Sequence, residues 1–318
     1  MDIINPTLLY ATLSCFAGLI LLYFGGNKLV DGAVFVAEKL KVSTLFIGVA
    51  IIGLGTSLPE IIATASAVRL GTPDVAFGNI IGSNIANIGL VLGLGLLLVS
   101  RITTNKAQKQ EYLFMMVGMV LFSIIVFLNN GIPAWAGVVL LLTMVVYLYI
   151  SLRSGRNSHG NEAEMDEELA LPSSPWLAAA FIIGGLVALF IGADLMVDGA
   201  VTIAKSFGIS ERVIGLTLVA IGTSLPEIAA TIAAARHGNI GLTLGNVAGS
   251  NTFNALAAGG AGALVGHMNT GDLTTDLLTM LAFGCAMAYI FLAPKANSRI
   301  FGAIIMLGYV GYLVHLAL

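Results

Sequence analysis

The chain has 318 residues, 58% hydrophobic and only 10% charged, with a formal net charge of −3 and a mean hydropathy of +0.97. Soluble domains are about 25% charged, and a soluble protein of this length needs more polar surface than this composition supplies. An all-α polytopic membrane protein in a lipid bilayer is the expected class, and the absence of a basic cluster argues against a nucleic-acid partner.

The first apolar run begins near Leu8 and is followed by many more, so a membrane helix is expected there and not a cleaved leader. At about 20 apolar residues per crossing, the chain reads as ten transmembrane helices. They fall near 8–36, 44–68, 75–99, 111–128 and 134–151, then 176–203, 213–235, 240–266, 277–293 and 300–317. The first and sixth are long enough to tilt strongly. Trp135 and Trp176 fall near segment ends, where interfacial aromatics are expected. Cys15 and Cys285 lie inside apolar segments and read as small buried hydrophobes.

Between the fifth and sixth segments lies a hydrophilic linker, 152–175, with Arg153 and Arg156 followed by Glu162, Glu164, Asp166, Glu167 and Glu168. It is too short for a regulatory domain and reads as a solvated connection. Lys39, Lys41, Arg101, Lys106, Lys109, Arg153, Arg156, Arg236, Lys295 and Arg299 fall in one alternate set of loops, and only Arg69, Lys205 and Arg212 in the other. The positive-inside rule puts the richer set, and the linker, in the cytoplasm and both termini outside. The expected location is a prokaryotic plasma membrane.

Shifting the chain by 167 residues aligns Asp31–Asn87 with Asp198–Asn254 without a gap, with 26 identities in 57 positions. DGAV, GTSLPE, the Gly78-Asn79 and Gly245-Asn246 pairs and the GSN runs all coincide, which a shared apolar bias would not produce. The chain is therefore a duplication: a first five-helix repeat over 1–151 and a second over 176–318. An odd number of helices per repeat makes the second copy enter the membrane in the opposite sense. Such inverted-topology repeats belong to secondary transporters, whose ion sites lie at mid-membrane on interrupted helices.

The duplicated GTSLPE places Glu60 and Glu227 in apolar surroundings. A mid-bilayer carboxylate costs about 2.5–3.5 kcal/mol on insertion scales, and no Lys or Arg lies in the second, third, seventh or eighth segment interiors. The compensating partner is left as a proton, a hydrogen-bond network or a bound cation. Pro59 lacks an N–H and clashes with the carbonyl four residues back, so the helix is expected to open and free carbonyls around Gly53, Gly55 and Thr56. Pro226 should do the same around Ala220, Gly222 and Thr223. On the following helices Ser83 and Asn87, and again Ser250 and Asn254, are four residues apart and share a face. Gly78 and Gly82, like Gly245 and Gly249, permit close helix approach. Together these are hard oxygen donors, suited to calcium and similar cations.

Weaker signals are read as structural. Asp31 and Asp198 read as caps or packing anchors, and Lys28, aligned with Leu195, as a snorkelling side chain. Thr64 and Thr231 extend the glutamate faces by one turn and either line a passage or pack. His159, His237, His267 and His315 lie at loops or ends, have no metal-ligand spacing and read as solvated.

The paired GTSLPE segments, each followed by G-N-x-x-G-S-N, resemble the alpha repeats of the sodium/calcium exchangers of the calcium/cation antiporter superfamily. The likeness is specific near 31–90 and 198–257 and suggests a compact prokaryotic member. It implies countertransport of sodium against calcium by alternating access, without a cofactor. It also implies that Glu60 and Glu227 are the central acidic ligands. Thr56, Ser57, Thr223 and Ser224 would add hydroxyl or carbonyl oxygens, Gly53 and Ala220 backbone carbonyls, and Ser83, Asn87, Ser250 and Asn254 would complete the cage. Exchangers of this type often carry aspartate where this chain has Asn254, so two acidic groups are expected here and not three. Calcium/proton antiport is the alternative reading, since protons could discharge the same glutamates. A cation channel is disfavoured by the internal duplication, and an enzyme by the lack of any catalytic spacing.

Overall fold

The computed structural model describes residues 6–99, 104–158, 171–208, 220–292 and 297–317. The chain is almost entirely helical. It opens with α1 (Pro6–Leu40), followed by the short α2 (Thr44–Thr56) and α3 (Leu58–Arg69). Next come α4 (Pro73–Leu98), α5 (Lys106–Asn129), α6 (Ala134–Ser158) and α7 (Pro175–Ser206). The second half continues with α8 (Ala220–Gly222) and α9 (Leu225–Arg236). Then α10 runs from Ile240–Thr252 through Phe253–Ala258 to Gly259–Val265, followed by α11 (Thr274–Leu292) and α12 (Ser298–Ala317).

Among the described residues, seven helices are long and apolar enough to cross a membrane, and α2 with α3, bent by 42°, makes an eighth. The long α10 is not among them, because Asn246, Ser250, Asn251 and Asn254 lower its hydropathy; it runs through the protein core, where those side chains are buried. The expected 213–235 segment is described only from Ala220 onward. Hydropathy marks the membrane edge and not the helix end. Thus α6 runs to Ser158, past the expected 151, and α5 starts at Lys106 through a capping box between Asn105 and Gln108. Most of the acidic linker, 159–170, lies outside the described residues.

Glycine sets the close packing. A Cβ on Gly18, Gly25 or Gly32 of α1 would lie 2.6–2.9 Å from backbone oxygens of Gly192, Gly185 and Ala178 of α7. Rising numbers on one helix meet falling numbers on the other, so α1 and α7 are antiparallel. By the same test α2 and α10 run in the same direction, with Gly48 against Leu242 and Gly245, and Gly53 against Asn246 and Ser250.

Loop contacts sort the helix ends into two faces. On one, the Ser43 amide donates to the Gly155 carbonyl at 2.9 Å, Thr44 Oγ1 pairs with Asn239 Oδ1 at 3.0 Å, and the Ser298 hydroxyl donates to the Val99 carbonyl. On the other, two-residue strands β1 (Gly131–Ile132) and β2 (Met268–Asn269) pair antiparallel, and Thr270 donates to Asp74 at 3.0 Å.

Several weaker expectations need correction. Lys28 does not simply snorkel: it pairs with Asp31 at 3.0 Å and lies 4.3 Å over the Phe181 ring of α7. Asp31 is buried by that pairing, whereas Asp198 is exposed. Cys285 is exposed on an outward face of α11 and Cys15 is half-buried, so neither is a core hydrophobe. His237 is not merely solvated, its Nε2 lying 3.4 Å from Asn27 Oδ1, and His159 lies outside the described residues.

Candidate ion-binding site

The GTSLPE segments build two matching corners. The break falls at the serine, where Ser57 has φ −87° and ψ 1° and Ser224 has φ −91° and ψ 4°. A new helix starts just beyond, with the proline in its first turn, where the missing N–H costs nothing. Glu60 and Glu227 therefore sit in the first turn of α3 and α9. The positive end of each helix dipole favours a carboxylate there, which offsets part of the cost of burying it.

Each corner is locked by an asparagine that the sequence reading did not single out. Asn79 Nδ2 donates to the Glu60 carbonyl at 3.0 Å and to Thr64 Oγ1 at 2.9 Å. Asn246 Nδ2 makes the same pair, to the Glu227 carbonyl at 3.2 Å and Thr231 Oγ1 at 2.8 Å. Thr64 and Thr231 are thus packing partners, fully buried, and not passage walls. The coinciding Gly78-Asn79 and Gly245-Asn246 pairs were the available signal.

The two corners meet. Glu227 lies within interaction range of the Glu60 carboxyl and of the Thr56 and Ser57 hydroxyls. Around them the Ser57 and Ser224 hydroxyls, Glu60 Oε2, both Glu227 oxygens and both amide atoms of Asn87 and Asn254 are buried with no hydrogen-bond partner among the described residues. Unsatisfied buried polar atoms are rare in folded proteins and call for an explanation. The π-helical turns Asn87–Leu92 and Phe253–Ala258 carry the two asparagines, and such turns are frequent at functional sites. This donor set of carboxylate, hydroxyl and amide oxygens, with no lysine or arginine among it, fits a hard cation.

Other predicted residues are placed differently. The Gly53 carbonyl is not freed by Pro59, since it accepts from the Ser57 amide at 3.2 Å and from the Ser250 hydroxyl at 3.3 Å. That second bond ties α10 to α2. The Ser83 hydroxyl donates to the Asn79 carbonyl. Thr56 Oγ1 donates to the Ile52 carbonyl at 3.0 Å and lies 3.5 Å from Asn246 Oδ1. Ala220 begins the described stretch of the second corner. Gly55 and Gly222 are points of close approach to α7, where a Cβ would meet the side-chain methyl groups of Leu186 at 2.9 Å and Val197 at 2.3 Å.

A cavity of about 650 Å³ reaches the site from the face that carries Asp74 and Thr270. Asp74 and Asp276 lie along it, Gly78 and Gly82 form part of its wall, and Ser83 and Thr223 belong to the candidate site. Beyond the backbone of their own helix, no described atom would lie within 4 Å of a Cβ on Gly78 or Gly82. On the opposite face Gly245 and Gly249 are pressed against α2, with Leu45 O at 2.4 Å and Val49 Cα at 2.9 Å from the corresponding Cβ positions. Thr56 is fully buried, whereas its counterpart Thr223 is exposed.

A family model described as sodium/calcium exchanger protein matches residues 10–153 and 177–318. The uncharacterized membrane protein MJ0091 of Methanocaldococcus jannaschii is 37% identical over 274 residues, covering 86% of this chain and 87% of the relative. The inner membrane protein YrbG of Escherichia coli (strain K12) is 33% identical, covering 81% of each chain. Among solved structures, the sodium-calcium exchanger NCX_Mj soaked with zero Na+ and Ca2+ superposes with a TM-score of 0.84 at 33% identity, over 97% of this chain and 99% of that one. NCX_Mj soaked with 10 mM Na+ and 10 mM Sr2+ gives 0.82 at 33% identity, over 96% and 98%. A helical, polytopic membrane transporter with this duplicated acidic site and these relatives belongs to the sodium/calcium exchanger family.

Proposed function

We propose that this chain exchanges calcium for sodium by alternating access, binding both ions in one cage centred on Glu60 and Glu227. Thr56, Ser57, Ser83 and Asn87 serve from the first half and Thr223, Ser224, Ser250 and Asn254 from the second, with backbone oxygens of Gly53 and Ala220. One observation carries the reading: two buried carboxyls are surrounded by oxygen donors that lack partners among the described residues, and no described cationic side chain faces them. Two ionised glutamates carry −2, which one calcium ion or two sodium ions neutralise.

The reading includes ten crossings in two inverted repeats, 1–151 and 176–318, joined by 152–175, in a prokaryotic plasma membrane. The antiparallel α1 and α7 and the parallel α2 and α10 support it, as both follow from inverted copies. The two-face sorting of loop contacts agrees with a cytoplasmic linker and outside termini. A cage reached by a cavity on one side and closed by packed glycines on the other is the arrangement that alternating access requires. In this topology the cavity opens outward.

The test is calcium uptake into reconstituted vesicles loaded with sodium, potassium or a proton excess. Uptake driven by the sodium gradient is expected. Uptake driven only by protons would move the function to calcium/proton antiport, and no gradient-driven uptake at all would overturn the reading.

A further inference from the structure

A second buried acid lies outside the cage. Glu111 on α5 is 2% exposed and faces Tyr147 and Ser151 of α6. Tyr147 also faces Thr252 of α10. Glu111 Oε2, the Tyr147 hydroxyl and the Ser151 hydroxyl are all buried and lack a hydrogen-bond partner among the described residues. Other nearby groups are engaged elsewhere. Gln108 closes the α5 capping box with Asn105, Tyr112 reaches the Gly284 carbonyl of α11 at 3.3 Å, and Asn251 of α10 meets Met115 Sδ at 3.6 Å. The basic residues at these helix ends, Lys106, Lys109, Arg153 and Arg156, are exposed.

We infer that Glu111, Tyr147 and Ser151 form a second cation site, separate from the cage, that takes one monovalent cation, a proton or a sodium ion. Burial of a carboxylate with no described charged partner demands a neutralising charge, and the described groups that face it are neutral oxygens. One negative charge is balanced by a single positive one, whereas a divalent ion would leave an unpaired charge in the interior. Tyr147 and Ser151 supply the oxygens that would accept from a bound proton or ligate a bound sodium.

The position gives the site a consequence. Thr252 precedes the π-helical turn Phe253–Ala258 and lies two residues from both Ser250 and Asn254. A cation at Glu111 holds α5 and α6 against that part of α10, on the side away from the Ser250 bond to α2. Occupancy of this second site therefore steadies the helix that carries half of the cage.

The test reads thermal stability, so it does not depend on exchange or on the cage assignment. The full chain with Glu60→Gln and Glu227→Gln is purified in detergent, which removes monovalent binding at those acids. Its Tm is followed in two arms: sodium replacing choline at fixed alkaline pH, and falling pH in choline alone. The expected result is a rise of several degrees in at least one arm, lost when Glu111→Gln is added. A rise with sodium identifies a sodium ion, and a rise with acid alone identifies a proton. Should the Glu111→Gln protein not fold, Tyr147→Phe must shrink the rise. No rise with Glu111 present, or a rise unchanged by these substitutions, overturns the inference.

Discussion

The stretches 78–84 and 245–251 share G-N-x-x-G-S-N, yet the fold uses them differently. In the second half both glycines take the backbone of α2 within Cβ-excluding distance, and in the first half the same two positions face a cavity. Thr56 is fully buried beside the closed stretch, and Thr223 is exposed beside the open one. The lesson is that a symmetric sequence specifies two seats and not one symmetric structure. Among the described residues, no neighbouring helix packs on Gly78 or Gly82. On the proposed cycle they are needed in the other conformation, when the outer side closes and the inner side opens.

The largest expected effect tests what the two halves share. Glu60→Gln and Glu227→Gln each remove half of the cage charge. Leaving one buried charge without its counterpart costs roughly 3 kcal/mol, about a hundredfold in an equilibrium constant. Each variant is expected to lose sodium-driven calcium uptake by at least that factor. Folding should survive, because a neutral amide is cheaper in the bilayer than a carboxylate. Near-normal uptake in one variant would show that the two acids are not equivalent and that the cage is centred on the other half.

Next comes the difference itself. Gly245→Ala or Gly249→Ala inserts a methyl group against α2 and should lower stability by about 1–3 kcal/mol, as overpacking does. Gly78→Ala or Gly82→Ala meets no described atom of a neighbouring helix and gains helix propensity of up to about 1 kcal/mol, so Tm should hold or rise. Exchange should nevertheless slow, because the added methyl group obstructs closure of the outer side. Equal Tm losses at all four positions would remove the asymmetry.

Accessibility sharpens the same contrast. With Cys15 and Cys285 replaced by alanine, a cysteine at position 223 should react with an impermeant thiol reagent added outside, and one at 56 should not. A cysteine in the 152–175 linker should stay protected from outside in intact cells. Outside labelling of the linker would overturn the proposed orientation.

Much of this architecture was legible in the sequence, because lipid imposes a simple rule. Apolar length marks the spans, and polar residues that recur at a fixed offset inside such runs have few structural excuses. Glu60, Glu227, Asn87 and Asn254 stood out for that reason. Local hydrogen bonding was harder to foresee. Pro59 was expected to free the Gly53 carbonyl, but the break falls at Ser57, and Gly53 is satisfied by Ser57 and by Ser250 of the other half. The apolar segment 111–128 begins at Glu111, whereas the Asn105–Gln108 capping box starts α5 at Lys106 and so places Glu111 inside the helix. Lys28 found Asp31 one turn away and Phe181 on a helix remote in sequence. In each case the deciding partner was set by tertiary packing, which periodicity does not report.

The smallest expected effect asks whether the two halves contribute equally to the cage. Asn87 and Asn254 occupy matching positions in the repeats, both begin or lie within a π-helical turn, and both have unpartnered amide atoms. Each would offer one neutral oxygen. Asn87→Ala and Asn254→Ala therefore leave the site at −2 and remove one ligand apiece. A neutral hydrogen-bonding group contributes about 0.5–1.5 kcal/mol net, and a metal contact of that size corresponds to roughly 2- to 12-fold in affinity. Calcium binding measured by calorimetry on purified protein should weaken by a few fold in each variant, with sodium coupling intact. Similar losses would mean that calcium sits midway between the repeats. A loss confined to Asn254→Ala would place the ion nearer the closed side, against α10, and would assign Asn87 to sodium. No change in either variant would remove both amides from the cage and leave the carboxyls and hydroxyls to hold the ion.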